Sequence, residues 1–234
     1  KNNDSAKVGS NDTVIKPIEK KDSSIQTTIS QYELPKNVSF KGKEFHSAYK
    51  WYDKTGWNIL VLSTSSTTIN GSETVEPEHS VELFARQYNL KDPGKPTVTW
   101  DMYDAQLKCI FDITCQFIHT DFTDLDNDSI KETFLLYKLT CRSDVSPATM
   151  KLIVHEEKKK YALRGKMIFT IPDIPDTLFP ETRQIDLSKI SKEEFEKVVY
   201  RDGGGEEKEK ELNNAPHSFL AYAKQLWWQS SFEQ

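Results

Sequence analysis

Apolar and polar residues alternate in short runs through the middle of the chain. Within 80–88 and within 97–103, every second residue shares one face, which carries Val81, Leu83, Ala85 and Gln87 in the first run and Val98, Trp100 and Met102 in the second. A period of two residues is typical of a β-strand with one buried face. The run 59–62 is continuously apolar, and its short length also indicates a strand.

Turn-forming residues divide these runs into pairs. The stretch 53–56 ends in glycine, 92–96 contains two prolines and a glycine, and 156–160 is wholly charged. We therefore predict four successive hairpins, with strands at 45–52 and 57–63, 80–88 and 97–103, 115–122 and 133–140, and 150–155 and 161–164. The predicted fold is mainly β, with antiparallel hairpins in a meander or in a two-sheet arrangement.

Helical signals come late in the chain. Ser191 and Glu194 have the spacing of a capping box, which predicts a helix ending near Tyr200. Pro216 suits the first turn of a final helix. Apolar residues follow it at helical spacing and should dock on the sheet, namely Phe219, Leu220, Ala223, Leu226 and Trp227. With these C-terminal helices the predicted class is α+β.

The N-terminal segment has a different composition. Residues 1–27 are rich in Lys, Asn, Asp, Ser and Thr and contain no aromatic residue, so we predict a flexible polar tether there and a single β-rich domain over 28–234. Such a tether follows the lipidated cysteine of bacterial lipoproteins, and an ordinary secreted protein is the alternative. We expect an extracytoplasmic protein, either periplasmic or an outer-membrane lipoprotein.

Charge and hydropathy narrow the possible partners. The 234-residue chain has a formal net charge of −5. Because nucleic-acid and anionic-membrane binding need clustered Lys and Arg, we expect no nucleic-acid partner. No apolar run approaches the ~20 residues that span a bilayer, so we expect membrane contact only through an N-terminal lipid anchor, if one is present.

The most informative motif is the acidic stretch 124–132, between two predicted strands. Its carboxylates stand at alternate positions and at its end: Asp124, Asp126, Asp128 and Glu132. Calcium takes six to eight hard oxygen ligands and tolerates irregular geometry. Carboxylates this close repel one another unless a cation neutralises them. We predict a structural calcium site formed by these four side chains and the backbone carbonyl of Ile130, and a solvated acidic loop is the alternative.

The loop differs from an EF-hand, because Ser129 stands where that motif has glycine and the flanks read as strands. It resembles the D-x-[DN]-x-D-G-x-x-[DE] loop of FG-GAP and integrin-type hairpins, in which calcium holds a turn between strands. Ser129 replaces the glycine of that pattern too, which would weaken the site if the turn needs a positive φ.

Three cysteines occur without metal-binding spacing. If Asp124 pairs with Glu132 across the hairpin, Cys115 faces Cys141, and a disulfide directly across antiparallel strands is strained. Cys109 lies in a looser segment. We predict one disulfide involving Cys141, with Cys109 the preferred partner, and three reduced thiols are the alternative.

A wider resemblance covers residues 45–165. The segments WDMYD at 100–104, TDLDNDSIKE at 123–132, the long run 134–156 and KYALRG at 160–165 resemble a group of Bacteroidetes extracytoplasmic proteins that carries a surface-polysaccharide-biosynthesis label. The resemblance implies a cell-envelope role and a surface glycan or an envelope protein as partner. It supplies no catalytic residues.

Catalytic signatures are absent from the sequence. The five histidines lack the ligand spacing of zinc sites, and no nucleophile elbow or phosphate loop is present. Trp51, Trp57 and Trp100 could form a sugar-stacking platform, although core packing is the commoner use of such residues. We expect a non-enzymatic cell-envelope binding or scaffolding protein stabilised by calcium. The alternative is a glycan-binding protein or accessory enzyme acting on surface polysaccharide.

Overall fold

Two antiparallel sheets and one C-terminal helix form the protein in a computed structural model that describes residues 26–144, 146–169 and 214–233. Strands adjacent in the chain are adjacent in each sheet. The first sheet contains β1 (Thr27–Ile29), β2 (Glu44–Asp53), β3 (Gly56–Ile69), β4 (Glu78–Asn89) and β5 (Thr97–Cys109). The second contains β6 (Asp112–Thr123), β7 (Glu132–Arg142), β8 (Thr149–Glu156) and β9 (Lys159–Lys166).

All four predicted hairpins are confirmed, as β2–β3, β4–β5, β6–β7 and β8–β9. Both predicted arrangements are present, because the strands form two sheets and each sheet is itself a meander. Several strands are longer than predicted. β3, for example, continues through the Ser- and Thr-rich stretch 63–68, where β-branched residues favour extension after the apolar run has ended.

The described C-terminal part contains a single helix, α1 (His217–Ser230), which starts directly after Pro216 as predicted. After the helix, β11 (Phe232–Glu233) pairs in parallel with β10 (Ile168–Phe169), which follows β9 in the chain. The predicted helix at 191–200 and residues 1–25 of the predicted tether lie outside the described residues. Thr27, at the end of that predicted tether, begins β1.

Three apolar clusters hold the layers together. Side chains of both sheets meet in the central cluster, which includes Trp51, Trp100, Phe122 and Leu135. The outer face of the second sheet packs against α1, which buries the predicted residues Phe219, Ala223, Leu226 and Trp227 and partly buries Leu220. The outer face of the first sheet is covered by the segment that contains Leu34, Val38 and Phe40. The order of layers is therefore N-terminal segment, first sheet, second sheet and helix.

The chain passes from the first sheet to the second through Ile110 and Phe111, between β5 and β6. A disulfide, Cys109–Cys141, joins the sheets at this crossing. The opposite end of the sandwich, called the loop end below, carries the connections 54–55, 90–96, 124–131 and 157–158. Among the described residues no backbone connection joins the two sheets there, so side chains and loops must hold that end.

The preferred pairing of Cys109 with Cys141 is confirmed. The predicted register, which placed Cys115 opposite Cys141, was wrong. Glu132 faces Thr123 rather than Asp124, and a bulge at Ile118 shifts the pairing again. Cys141 therefore faces Ile113, and Cys115 is a free, half-buried thiol. A bulge adds one unpaired residue to one strand, which an alternating pattern does not reveal.

Candidate metal centre

The acidic loop connects β6 to β7 at the loop end. Two of its residues adopt a left-handed backbone, Asn127 with φ 62° and Ser129 with φ 71°. Asparagine tolerates this conformation, whereas serine is disfavoured in it. Ser129 occupies the glycine position of the resembled motif, so the turn is made as that motif requires, at a cost in backbone strain.

Three of the predicted ligands converge. Asp124, Asp126 and Asp128 each offer a carboxylate oxygen, and these oxygens lie within 4.8 Å of one another. Two oxygens bound to one calcium ion at ~2.4 Å can be at most ~4.8 Å apart, and the oxygens of the triad meet this limit.

The same three carboxylates also order the loop backbone. Asp124 accepts a hydrogen bond from the amide of Ser129 at 3.2 Å, and Asp126 accepts one from the amide of Asp128 at 3.3 Å. Asp128 accepts one from the amide of Ile130 at 2.7 Å. Each carboxylate keeps lone pairs for a cation. The carbonyl of Ile130 stays a predicted ligand.

Glu132 is placed differently from the other predicted ligands. It is fully buried, and its carboxylate accepts hydrogen bonds from the Thr123 hydroxyl at 2.6 Å and the Leu125 amide at 3.0 Å. Burial raises its pKa to about 7. Its oxygen groups with those of Asp126 and Glu156, whereas Asp124 and Asp128 group with Asp126 and with each other. The structure thus divides the predicted ligand set between two triads that share Asp126.

Glu156 was missed by the sequence reasoning, which treated it as part of a charged turn. It is the last residue of β8, and β8 pairs with β7 so that His155 faces Thr133. This pairing brings Glu156 to the acidic loop, where it is 3% exposed. Burial, followed by the nearby Asp128 and Glu156 carboxylates, raises the pKa of Asp126. Negative charge therefore accumulates at this point.

The acidic loop also contacts the first sheet. The Lys54 amide donates to the Ser129 carbonyl at 2.9 Å, and the Lys54 ammonium donates to the Asp128 carbonyl at 3.3 Å. The Lys131 amide donates to Asp53 at 3.3 Å. Because the loop belongs to the second sheet and residues 53–54 to the first, these hydrogen bonds link the sheets at the end that lacks the disulfide.

Asp53 is itself held firmly. Its carboxylate accepts hydrogen bonds from the Trp51 indole at 3.0 Å and from the amide of Thr55 at 2.8 Å. Trp51 is fully buried in the central cluster. The position of the acidic loop is therefore coupled through Asp53 to the core of the first sheet.

A polar cleft of about 390 Å³ lies between these loops. Two acidic residues, Asp53 and Glu157, line the cleft. Most of its other lining residues carry side-chain amides or ammonium groups: Asn58, Gln87, Asn89, Lys54, Lys91 and Lys131. Asn89 donates to Asn58 at 3.2 Å, and Gln87 accepts from the Trp100 indole at 2.7 Å. The amides of the cleft walls are thus fixed by internal hydrogen bonds, and those of Asn58 and Gln87 are buried.

The three tryptophans do not form one platform. Trp51 and Trp100 are buried in the central cluster, in agreement with the core alternative. Trp57 is 44% exposed and contacts Tyr52 edge-on with ring centroids 5.3 Å apart, while Lys50 lies over its ring. Of the three tryptophans, Trp57 alone is exposed enough to stack on a ligand, and Tyr52 lies beside it.

Comparisons with protein-family models, with curated proteins and with solved structures give no match to this chain. Across the described residues, no helix has both the length and the apolar character needed to cross a membrane. Function must therefore be argued from the site itself.

Proposed function

We propose that this protein is a non-enzymatic binding or scaffolding module of the cell envelope, stabilised by a structural calcium ion in the acidic loop. The observation that carries the proposal is the convergence of Asp124, Asp126 and Asp128 oxygens within 4.8 Å. An ion there would neutralise the triad and hold the loop in its strained turn, which includes Ser129 at φ 71°.

A structural role is favoured because the loop holds the sheets together. Its backbone bonds to Lys54 and, through Lys131, to Asp53 of the first sheet. Within residues 26–144, 146–169 and 214–233, the carboxyl groups with raised pKa, Asp126 and Glu132, belong to the loop itself. A glycosidase would instead place a pair of carboxyls across a substrate cleft.

An extracytoplasmic location agrees with the disulfide Cys109–Cys141, since such bonds persist mainly in oxidising compartments. The polar N-terminal segment suits a lipoprotein tether or a secreted protein. The resemblance to Bacteroidetes envelope proteins points the same way. We therefore propose a periplasmic or outer-membrane setting, with an envelope protein or a surface glycan as partner.

Glycan binding is the second candidate, and the cleft at the loop end favours it. Lys54 and Lys91 present exposed ammonium groups at this cleft, which are suited to sugar hydroxyls, and Asn89 adds a half-buried amide. An accessory enzyme acting on surface polysaccharide belongs to the same candidate. Binding should appear on a panel of bacterial polysaccharides and should weaken in Lys91→Ala. Failure of every polysaccharide would remove this candidate and leave the calcium site untouched.

Thermal unfolding with calcium and with EDTA tests the leading proposal. Calcium at about 100 times its Kd would stabilise the fold by about 2.7 kcal/mol, a rise of about 5–10 °C in Tm for a domain of this size. Asp124→Asn should reduce the rise. Asp144→Asn is the matched control, because Asp144 also accepts a loop amide, that of Ser146 at 2.9 Å, but lies outside both triads. A wild-type Tm that is the same with calcium and with EDTA would refute the proposal.

A further inference from the structure

Glu156 contains a buried oxygen that the proposed calcium site leaves unexplained. Its side chain is almost wholly buried, and its Oε2 pairs with the ammonium of Lys159. Its Oε1 is buried and has no hydrogen-bond partner within the described part of the chain. Buried carboxylate oxygens without a donor or a cation are costly and rare, so this atom indicates a missing ligand.

Glu156 faces two further carboxylates. An oxygen of Asp126 and an oxygen of Glu132 lie within 4.8 Å of each other and of a Glu156 oxygen. Glu132 is fully buried, and the ammonium of Lys159, on a side chain that is 66% exposed, pairs with one Glu156 oxygen at 2.5 Å. One cation at the solvent edge does not neutralise three carboxylates packed together in a buried place.

This second triad is distinct from the first. A single ion ~2.4 Å from each of its ligands needs all ligand oxygens within ~4.8 Å of one another. Each triad satisfies that limit separately, and the two sets have only Asp126 in common. Asp126 has two carboxylate oxygens and can serve one ion with each.

We propose that Asp126, Glu132 and Glu156 form a second divalent-cation position, joined to the calcium position of the loop by a bridging Asp126. An all-carboxylate set selects a hard cation of the calcium, magnesium or manganese class. An ion here ties the acidic loop to the ends of β7 and β8 and fills the place beside the unpartnered oxygen of Glu156. The position needs neither the envelope role nor glycan binding, although it shares Asp126 with the proposed calcium site.

Isothermal titration of the full chain with calcium, after removal of bound metal with a chelator, measures the number of ions. We expect two ions per wild-type chain and one in Glu156→Gln, which keeps the size of the side chain and removes its charge. Asp128→Asn should also bind one ion, since Asp128 belongs only to the first triad. Glu157→Gln is the matched control one residue away and should bind two.

The outcomes separate this position from the loop site. One ion in the wild type, unchanged in Glu156→Gln, would overturn the second position while the loop site stands. No bound calcium at all would overturn both. Wild type and the double variant Asp124→Asn/Asp128→Asn decide the question without the Glu156 variant should that variant fail to fold, because an ion retained when the first triad keeps only the shared Asp126 must lie at the second triad.

Discussion

The disulfide should contribute a large share of the stability of the sandwich. Cys109 and Cys141 are 32 residues apart in sequence, and they join the sheets where the chain crosses between them. In the chain-entropy model, a closed loop of this length lowers the free energy of the folded state relative to the unfolded state by about 3.7 kcal/mol. Replacing both cysteines by alanine should lower the free energy of unfolding by about that amount and Tm by about 7–15 °C.

Urea unfolding followed by tryptophan fluorescence measures this loss in Cys109→Ala/Cys141→Ala. Cys115→Ala is the control, because that half-buried thiol is free, and we expect it to change stability by less than about 1 kcal/mol. Wild type treated with a reductant should match the double variant. A double variant within about 1 kcal/mol of the oxidised wild type would show that the bond does not constrain the chain as proposed.

Three further predictions concern single side chains. Asp104→Asn removes the charge that accepts hydrogen bonds from Tyr137 at 2.8 Å and Lys151 at 2.6 Å between the sheets, and it should cost about 1–3 kcal/mol in urea unfolding. Burial raises the pKa of Cys115 to about 11, so iodoacetamide should alkylate the native thiol slowly at pH 8 and faster as the pH approaches 11, while the unfolded chain reacts readily at pH 8. Trp227→Ala should cost about 3–5 kcal/mol, because this fully buried side chain docks α1 on the second sheet, and a cost below about 1 kcal/mol would contradict that docking.

The β-architecture could be predicted because its signals are local. Alternation within 80–88 and 97–103, with turn residues between, is sufficient to indicate a hairpin. The final helix could likewise be predicted from Pro216 and the apolar spacing after it. The register of β6 against β7 could not, because the bulge at Ile118 depends on how the two strands pair and has no characteristic residue type.

The candidate site was predictable only in part. Alternating aspartates in one loop identify Asp124, Asp126 and Asp128 as neighbours, because a tight loop brings alternate residues together. Glu156 reaches the site through the pairing of β7 with β8, and Asp53 reaches it from the other sheet. Contacts that depend on how separate strands and sheets are placed produce no periodic pattern in the sequence.

Hydrogen exchange at the loop end, with and without calcium, tests most directly whether an ion in the acidic loop holds the two sheets together there. The amides to follow are those of Lys54, Leu125 and Lys131, which bond within or across this end. We predict that calcium slows their exchange more in the wild type than in Asp124→Asn, while the connection 70–77 at the opposite end is unchanged. Equal exchange with and without calcium would contradict a calcium-held loop end.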